Sequence, residues 1–265
     1  MRSPHHSAVP ALRTACVAAL VLSAGARPAH AQRAGPREVA VNADVWVVYA
    51  ADLAWSSRWA FLAEVEARRA DGLAVWQQFL TRPAVAYRAA PNVRLTAGYE
   101  FQETWPYGEQ AAPARTSAHH VWEQLQLGNA TGRVAWQHRY RLEQRWVEAP
   151  LDSAARDWRY TNRVRYQARA AVPLHGRTID PGELYAVAWD EVFLSWGRNV
   201  GRNTFDQNRA AALVGWQARG NTRVEGGYMQ QLLAKGDGVR LERNHTILLT
   251  VSQGVALRHP PASAP

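Results

Sequence analysis

The stretch Arg133-Val-Ala-Trp-Gln-His-Arg-Tyr-Arg-Leu-Glu-Gln-Arg-Trp146 constrains the fold more than any other part of the chain. Every second residue from Val134 (Trp136, His138, Tyr140, Leu142, Gln144, Trp146) makes a mostly apolar, aromatic set. The intervening set (Arg133, Gln137, Arg139, Arg141, Glu143, Arg145) is densely charged. Successive side chains of a strand point to opposite faces, so the stretch is a two-faced β-ribbon. A helix would spread the charges around its circumference and leave no apolar stripe. The ribbon is about twice the usual strand length of ~5–6 residues and carries tryptophan at both ends of its apolar face. A soluble sandwich with its charges outward would also alternate. Strand length and flanking aromatics instead suit a transmembrane strand of ~9–11 residues, whose aromatic girdles lie where lipid meets water.

The N-terminus reads as a secretory signal. Arg2 and Arg13 make a basic start, Ala15 to Leu22 a short apolar core, and Ala29-His-Ala31 a small-x-small cleavage motif, predicting removal of 1–31 before Gln32. The apolar run is too short for a membrane anchor of ~20 residues. The single cysteine, Cys16, lies within the signal, so the mature chain has neither disulfide nor thiol chemistry. No later run is apolar enough for a membrane helix, which leaves a closed barrel as the way to meet lipid. Twelve tryptophans against five phenylalanines suit interfacial anchoring. The net charge of +9 is interleaved with glutamate along strands, and Lys235 is the sole lysine; nothing resembles the basic arm of a nucleic-acid binder.

Period-two patterning predicts eleven candidate strands: 43–51, 58–68, 76–88, 93–104, 118–128, 133–146, 158–172, 183–196, 207–219, 222–233 and 242–253. Pro83 requires a bulge or irregularity within the third. Short connections near 53–57, 89–92, 129–132 and 220–221 alternate with longer ones near 69–75, 105–117, 147–157, 197–206 and 234–241, with 173–182 intermediate. Outer-membrane barrels show this asymmetry, although they use even strand counts. The expectation is an all-β, single up-and-down antiparallel transmembrane β-barrel of about ten to twelve strands, with 43–51 the strand hardest to place. Its layout is signal 1–31, flexible segment 32–41, barrel 42–257 and disordered tail 258–265.

Several phrases carry a family resemblance: Glu64-Val-Glu-Ala-Arg68, Gly98-Tyr99, Trp122-Glu-Gln124, Arg139-Tyr-Arg-Leu-Glu-Gln-Arg145, Arg163-Val-Arg-Tyr166, Glu191-Val-Phe193, Asp206-Gln-Asn-Arg209 and Gly227-Tyr228. From about residue 42 to 253 the chain resembles the domain of unknown function 2490 family. These are exported Gram-negative proteins expected to be outer-membrane β-barrels. Where that pattern tends to read Glu-His-Arg-Ile-Trp, this chain has Ala118-His-His-Val-Trp122, so one strand lacks a charged pair. The resemblance implies a fold and a location, and no activity.

In a barrel, Glu64, Glu66, Arg68, Glu100, Arg139, Arg141, Glu143, Arg145, Arg163, Arg165, Arg169, Glu191, Arg209 and Glu225 would face the lumen. They would either fill it as an Arg–Glu lattice or leave a passage whose arginine excess favours a small anionic solute. Trp59, Trp136, Trp146, Tyr140, Tyr166, Trp216 and Tyr228 would meet the membrane interface. Outer-membrane lipids are the expected partners, with the barrel assembly machinery during insertion. No cofactor or metal is expected, because His119 and His120 face opposite ways. The role this supports is a small pore or a structural envelope protein. A barrel-borne lipid hydrolase is the enzymatic alternative, with His119, His138 or His245 as base and Thr246 or Asn244 near the last. A soluble periplasmic barrel or sandwich is the other.

Overall fold

The protein is described by a computed structural model covering residues 37–149 and 157–257. The expected signal peptide, the tail 258–265 and part of the connection around 148–157 lie outside these residues. Eleven strands, and no helix among the described residues, close into one barrel in which each strand bonds to its sequence neighbours. They are β1 Glu38–Ala54, β2 Trp59–Ala70, β3 Val75–Ala90, β4 Val93–Thr104, β5 Thr116–Thr131, β6 Val134–Ala149, β7 Asp157–Pro173, β8 Leu184–Trp196, β9 Phe205–Gln217, β10 Thr222–Ala234 and β11 Arg240–Ala256. All eleven expected strands are present, most of them longer than the alternation alone suggested.

The odd count has a geometric consequence. In an up-and-down path the first and eleventh strands run the same way, so closure must be parallel. β1 indeed pairs β11 in parallel from Glu38↔Arg240 to Ala54↔Ala256 without a register break. The stretch 43–51, awkward in an even-stranded scheme, is the centre of this wall strand. The segment 32–41, expected to be flexible, gives up its last residues to β1. There Val39 and Val41 face outward while Ala40 and Asn42 are buried, and the backbone bonds to β11 hold them.

Pro83 interrupts the β3–β4 ladder without shifting it. Thr81 pairs Phe101 and Ala84 pairs Gly98, with the pairing lapsing between them where proline has no N–H to give. A true register shift occurs instead between Arg68 and Arg69, opposite Gln77, which turns both Gln77 and Gln78 toward the interior.

Connections at one rim are 55–58, 91–92, 132–133, 174–183 and 218–221; at the other they are 71–74, 105–115, 150–156, 197–204 and 235–239. We call these the short-turn and long-loop rims. The asymmetry is softer than the sequence suggested. The connection 71–74 is tight because Asp71, Gly72 and Leu73 all take positive φ, while Arg69 binds the carbonyls of Leu73 and Ala74.

The polarity of the wall is inside out relative to a soluble barrel. Val47, Tyr49, Phe61, Val65, Leu95, Val121, Leu142, Val214, Ile247 and Leu249 are exposed on the outer face, whereas Glu66, Glu100, Glu143, Glu191, Arg163 and Arg165 are buried within. The apolar interior is small, centred on Trp46, Tyr185, Val187, Leu213, Met229 and Leu248 beside the seam and its neighbouring strands.

Candidate functional site

The interior charges are set by cross-strand register. Glu143 of β6 lies opposite Arg163 of β7, and Arg141 opposite Arg165, so alternating positions deliver a carboxylate between guanidinium groups. Glu143, fully buried, accepts from Arg163 Nε at 2.6 Å and Arg165 Nη1 at 2.9 Å. Glu191 of β8 accepts from Arg165 Nε at 2.9 Å and Arg139 Nη2 at 2.7 Å. Each carboxylate bridges two arginines, the arrangement that makes buried charge tolerable.

A second cluster is built on β2–β5. Arg82 of β3 is its hub, bonding Glu64, Glu66 (3.0 Å) and Glu100 together, while Arg68 adds a 2.7 Å bond to Glu66. His120, with no exposed surface, places Nδ1 2.9 Å from Glu100 and accepts from Arg145 Nε at 3.4 Å. Asp206 of β9 joins the clusters, 3.1 Å from Arg163 and 3.7 Å from Arg145.

The structure places all fourteen residues expected at the lumen on the inner side of the wall. Twelve of them sit in ion pairs, including Arg169 with Glu225, which also accepts from Tyr185 Oη at 2.8 Å. The apparent surplus of arginine on β6 and β7 is reduced because Glu191, Asp206 and Glu225 reach it from β8, β9 and β10. Arg141 and Arg209 are the exceptions: neither has a carboxylate within 4.0 Å among the described residues.

Arg82, His120, Asp206 and Gln77 belong to this interior and were not among the residues expected at the lumen. Arg82 was masked by the adjacent Pro83, although its alternation with Leu80 and Ala84 gives the right face. Gln77 required knowledge of the register shift. It accepts from Trp46 Nε1 at 2.8 Å and donates to Asp44 at 2.9 Å, so Asp44 spends its buried charge on an amide rather than on a cation.

Aromatic rings beyond those expected at the interface enter the lumen. Trp46, Trp122 and Phe193 are buried there, and arginines lie over them: Arg68 is 3.7 Å from the Trp46 centroid, Arg141 4.1 Å from Trp122 and Arg165 4.4 Å from Phe193. Arg209 is 4.8 Å from both Trp46 and Phe193. In a site short of water such cation–π contacts are worth about 2 kcal/mol. The Trp122 ring fits because Gly98 opposite it on β4 has no side chain; a methyl there would collide with the indole and with Ala84.

The lumen is a string of chambers. A vestibule of about 400 Å³ opens at the short-turn rim between Asp52, Arg94, Gln124, Arg139, Arg141 and Arg223. Behind it lies a chamber of about 150 Å³ that shares Glu64, Arg82, Arg139 and Arg141 with the vestibule and adds Arg209 and Glu191. Beyond Trp46, Arg82 and Arg165 a third space of about 100 Å³ follows, and it shares Arg145 and Asp206 with one of about 280 Å³ near the long-loop rim. The connection 105–115 lines the third space through Tyr107, whose hydroxyl donates to Glu242 at 2.8 Å. Burial and that carboxylate hold the phenol well above its ordinary pKa of 10.0.

On the outer face Trp59, Trp136, Trp146, Tyr140, Tyr166, Trp216 and Tyr228 are all exposed. The tryptophans lie toward strand ends, whereas Tyr140, Tyr166 and Tyr228 sit near the middle of β6, β7 and β10. Three outward strand histidines each bond a tyrosine through Nδ1: His119 with Tyr99, His138 with Tyr166 at 2.9 Å and His245 with Tyr228 at 2.7 Å. Asn244 and Thr246 face the other way and are fully buried. The His245, Thr246 and Asn244 arrangement considered for a hydrolase is therefore not assembled.

A family model described as "Protein of unknown function (DUF2490)" matches residues 43–242. An uncharacterized protein of Methylorubrum extorquens is 30% identical over 198 residues, covering 72% of this chain and 79% of that protein. No solved structure matches. The match runs from within β1 to the start of β11 and takes in every ion pair of the two interior clusters, and so the chain belongs to the DUF2490 family of proteins of unknown function.

Proposed function

We propose that this protein spans the outer membrane of a Gram-negative bacterium as a narrow pore that prefers small anions. The observation that carries the reading is the inverted wall: exposed aliphatic and aromatic side chains outside, buried guanidinium and carboxylate groups inside. A closed barrel leaves no unpaired strand edge, which is what a hydrocarbon environment demands. Outer-membrane lipids would cover the apolar face, and export would begin with a signal peptide cleaved after Ala31 and end with insertion by the barrel assembly machinery. Glu123 and Asp190 face outward along their strands, each held by an amide: Glu123 by Gln144 at 3.3 Å and Asp190 by Asn208 at 3.0 Å. Acidic groups on a lipid face cost less than basic ones.

Anion preference follows from arginine. Eight arginines of the interior clusters (68, 82, 139, 141, 145, 163, 165 and 209) face six carboxylates (64, 66, 100, 143, 191 and 206), so the lumen carries positive potential. The test is a heat-modifiable gel shift of membrane-extracted protein followed by planar-bilayer recording under a salt gradient. Small conductance with a reversal potential toward the anion supports the reading. Solubility without detergent favours a periplasmic barrel, an absence of conductance favours a structural envelope role, and cation preference overturns anion selection.

A further inference from the structure

The two arginines without carboxylates share one chamber. Arg141 and Arg209 are both more than nine-tenths buried, and both line the space of about 150 Å³ behind the vestibule. Arg141 is satisfied only by the neutral amide of Gln124, through Nε at 3.0 Å and Nη2 at 2.8 Å. Arg209 makes no hydrogen bond through Nε, and neither does Arg139 through its own Nε, although Arg139 reaches Glu191 with its other end. The neighbouring carboxylates are already engaged: Glu191 by Arg139 and Arg165, Glu66 by Arg68 and Arg82, Glu64 by Arg82. The chamber therefore holds two buried positive charges more than its own pairs consume. A buried charge without a counter-charge is costly, and guanidinium donors match oxyanions in geometry.

We propose that this chamber is the seat of one small doubly charged oxyanion of the phosphate or sulfate class, held by Arg141 and Arg209 with help from Arg139 Nε. The vestibule gives it an entrance from the short-turn rim, while Trp46, Arg82 and Arg165 narrow the lumen behind it. The volume suits a four-oxygen anion with a few waters. The inference deepens the anion-pore reading, and its test measures binding rather than current, so either can fail alone.

The test is calorimetric titration of the full mature barrel in detergent with inorganic phosphate, sulfate, glycerol phosphate and chloride. Saturable one-site binding of phosphate and sulfate, with chloride much weaker, is expected. Glycerol phosphate binding as well as phosphate would identify an ester as an equally good occupant, and its exclusion would restrict the seat to the free ion. Gln124→Glu supplies Arg141 with an internal carboxylate of the same size and should weaken phosphate by about tenfold or more while folding normally. Arg209→Gln should do likewise; Arg94→Gln, at the vestibule rim, should leave the affinity within about twofold. No binding by the wild-type barrel at millimolar phosphate, or equal binding by wild type and Gln124→Glu, overturns the proposal.

Discussion

Asn42 donates a 2.8 Å hydrogen bond to the side-chain oxygen of Asn244 across the parallel junction that closes the barrel. Asn244 in turn donates to Gln231 at 3.0 Å, and Gln231 to Gln207, so a chain of buried amides stitches β1 to β9 through β11 and β10. Parallel ladders are slightly weaker per residue than antiparallel ones, and this side-chain seam reinforces the weaker joint. Asn244→Leu strands both neighbours and should destabilise the barrel by about 1–3 kcal/mol. Urea unfolding in detergent, followed by tryptophan fluorescence, checks it. Near-additive single and double variants at 42 and 244 would remove the seam from the account.

Glu143 and Asp52 give contrasting ion pairs. Glu143 is fully buried between two arginines, and Glu143→Gln takes one of two carboxylates from each, leaving Arg163 with Asp206 and Arg165 with Glu191, for an expected loss of about 3 kcal/mol, the low end for a broken buried pair. Asp52 pairs Arg94 at 2.6 Å where both are partly exposed, so Asp52→Asn should cost no more than about 1 kcal/mol. Equal effects on the unfolding midpoint would contradict the buried lattice.

Gly98 is needed for space rather than for a turn. Gly98→Val drives a side chain into Trp122 and Ala84, and overpacking of this kind costs about 1–3 kcal/mol. Trp122→Leu should restore most of the loss in the double variant while depriving Arg141 of its ring. Failure of that rescue, read by heat-modifiable mobility, would show that the collision is not the cause.

The Tyr107 bond to Glu242 sets a pH window for docking of 105–115. A phenol whose folded pKa is raised contributes stability fully present below its unfolded value of about 10, lost only as pH rises through the higher folded value. The connection should therefore resist trypsin at Arg115 equally from neutral pH to about pH 10 and open at stronger alkalinity. Release with a midpoint in the neutral range would refute this. At the neighbouring turn Asp237 accepts backbone bonds from Val239 and Arg240, both 2.9 Å, which hold its carboxyl below the usual range. That contribution is complete above about pH 4 and fades as acid protonates it.

Much of this was legible in the chain. The alternation of β6 alone gave strand, length and both faces, because a side-chain period of two leaves no ambiguity once one face is aromatic and the other ionic. The inward placement of Glu143, Arg163 and Arg165 follows from the same parity. What parity cannot give is reach across non-adjacent strands: Arg139 meets Glu191 and Arg169 meets Glu225 only because the wall curves shut. Parity also fails where register slips, as at Gln77, and it does not tell a lumenal tryptophan such as Trp46 from an outward one. Tyr107 lies in a Pro- and Gly-rich connection with no period to read.

The uneven number of passes has one more effect. A polypeptide that crosses eleven times starts on one side of the sheet cylinder and finishes on the other, entering at the long-loop rim through Glu38 and leaving at the short-turn rim after Ala256. In a bilayer those rims belong to different compartments. In the membrane placement proposed above, insertion would carry the segment that leads into Glu38 across the bilayer, a translocation that an even-stranded barrel, whose first and last strands open at the same rim, does not require.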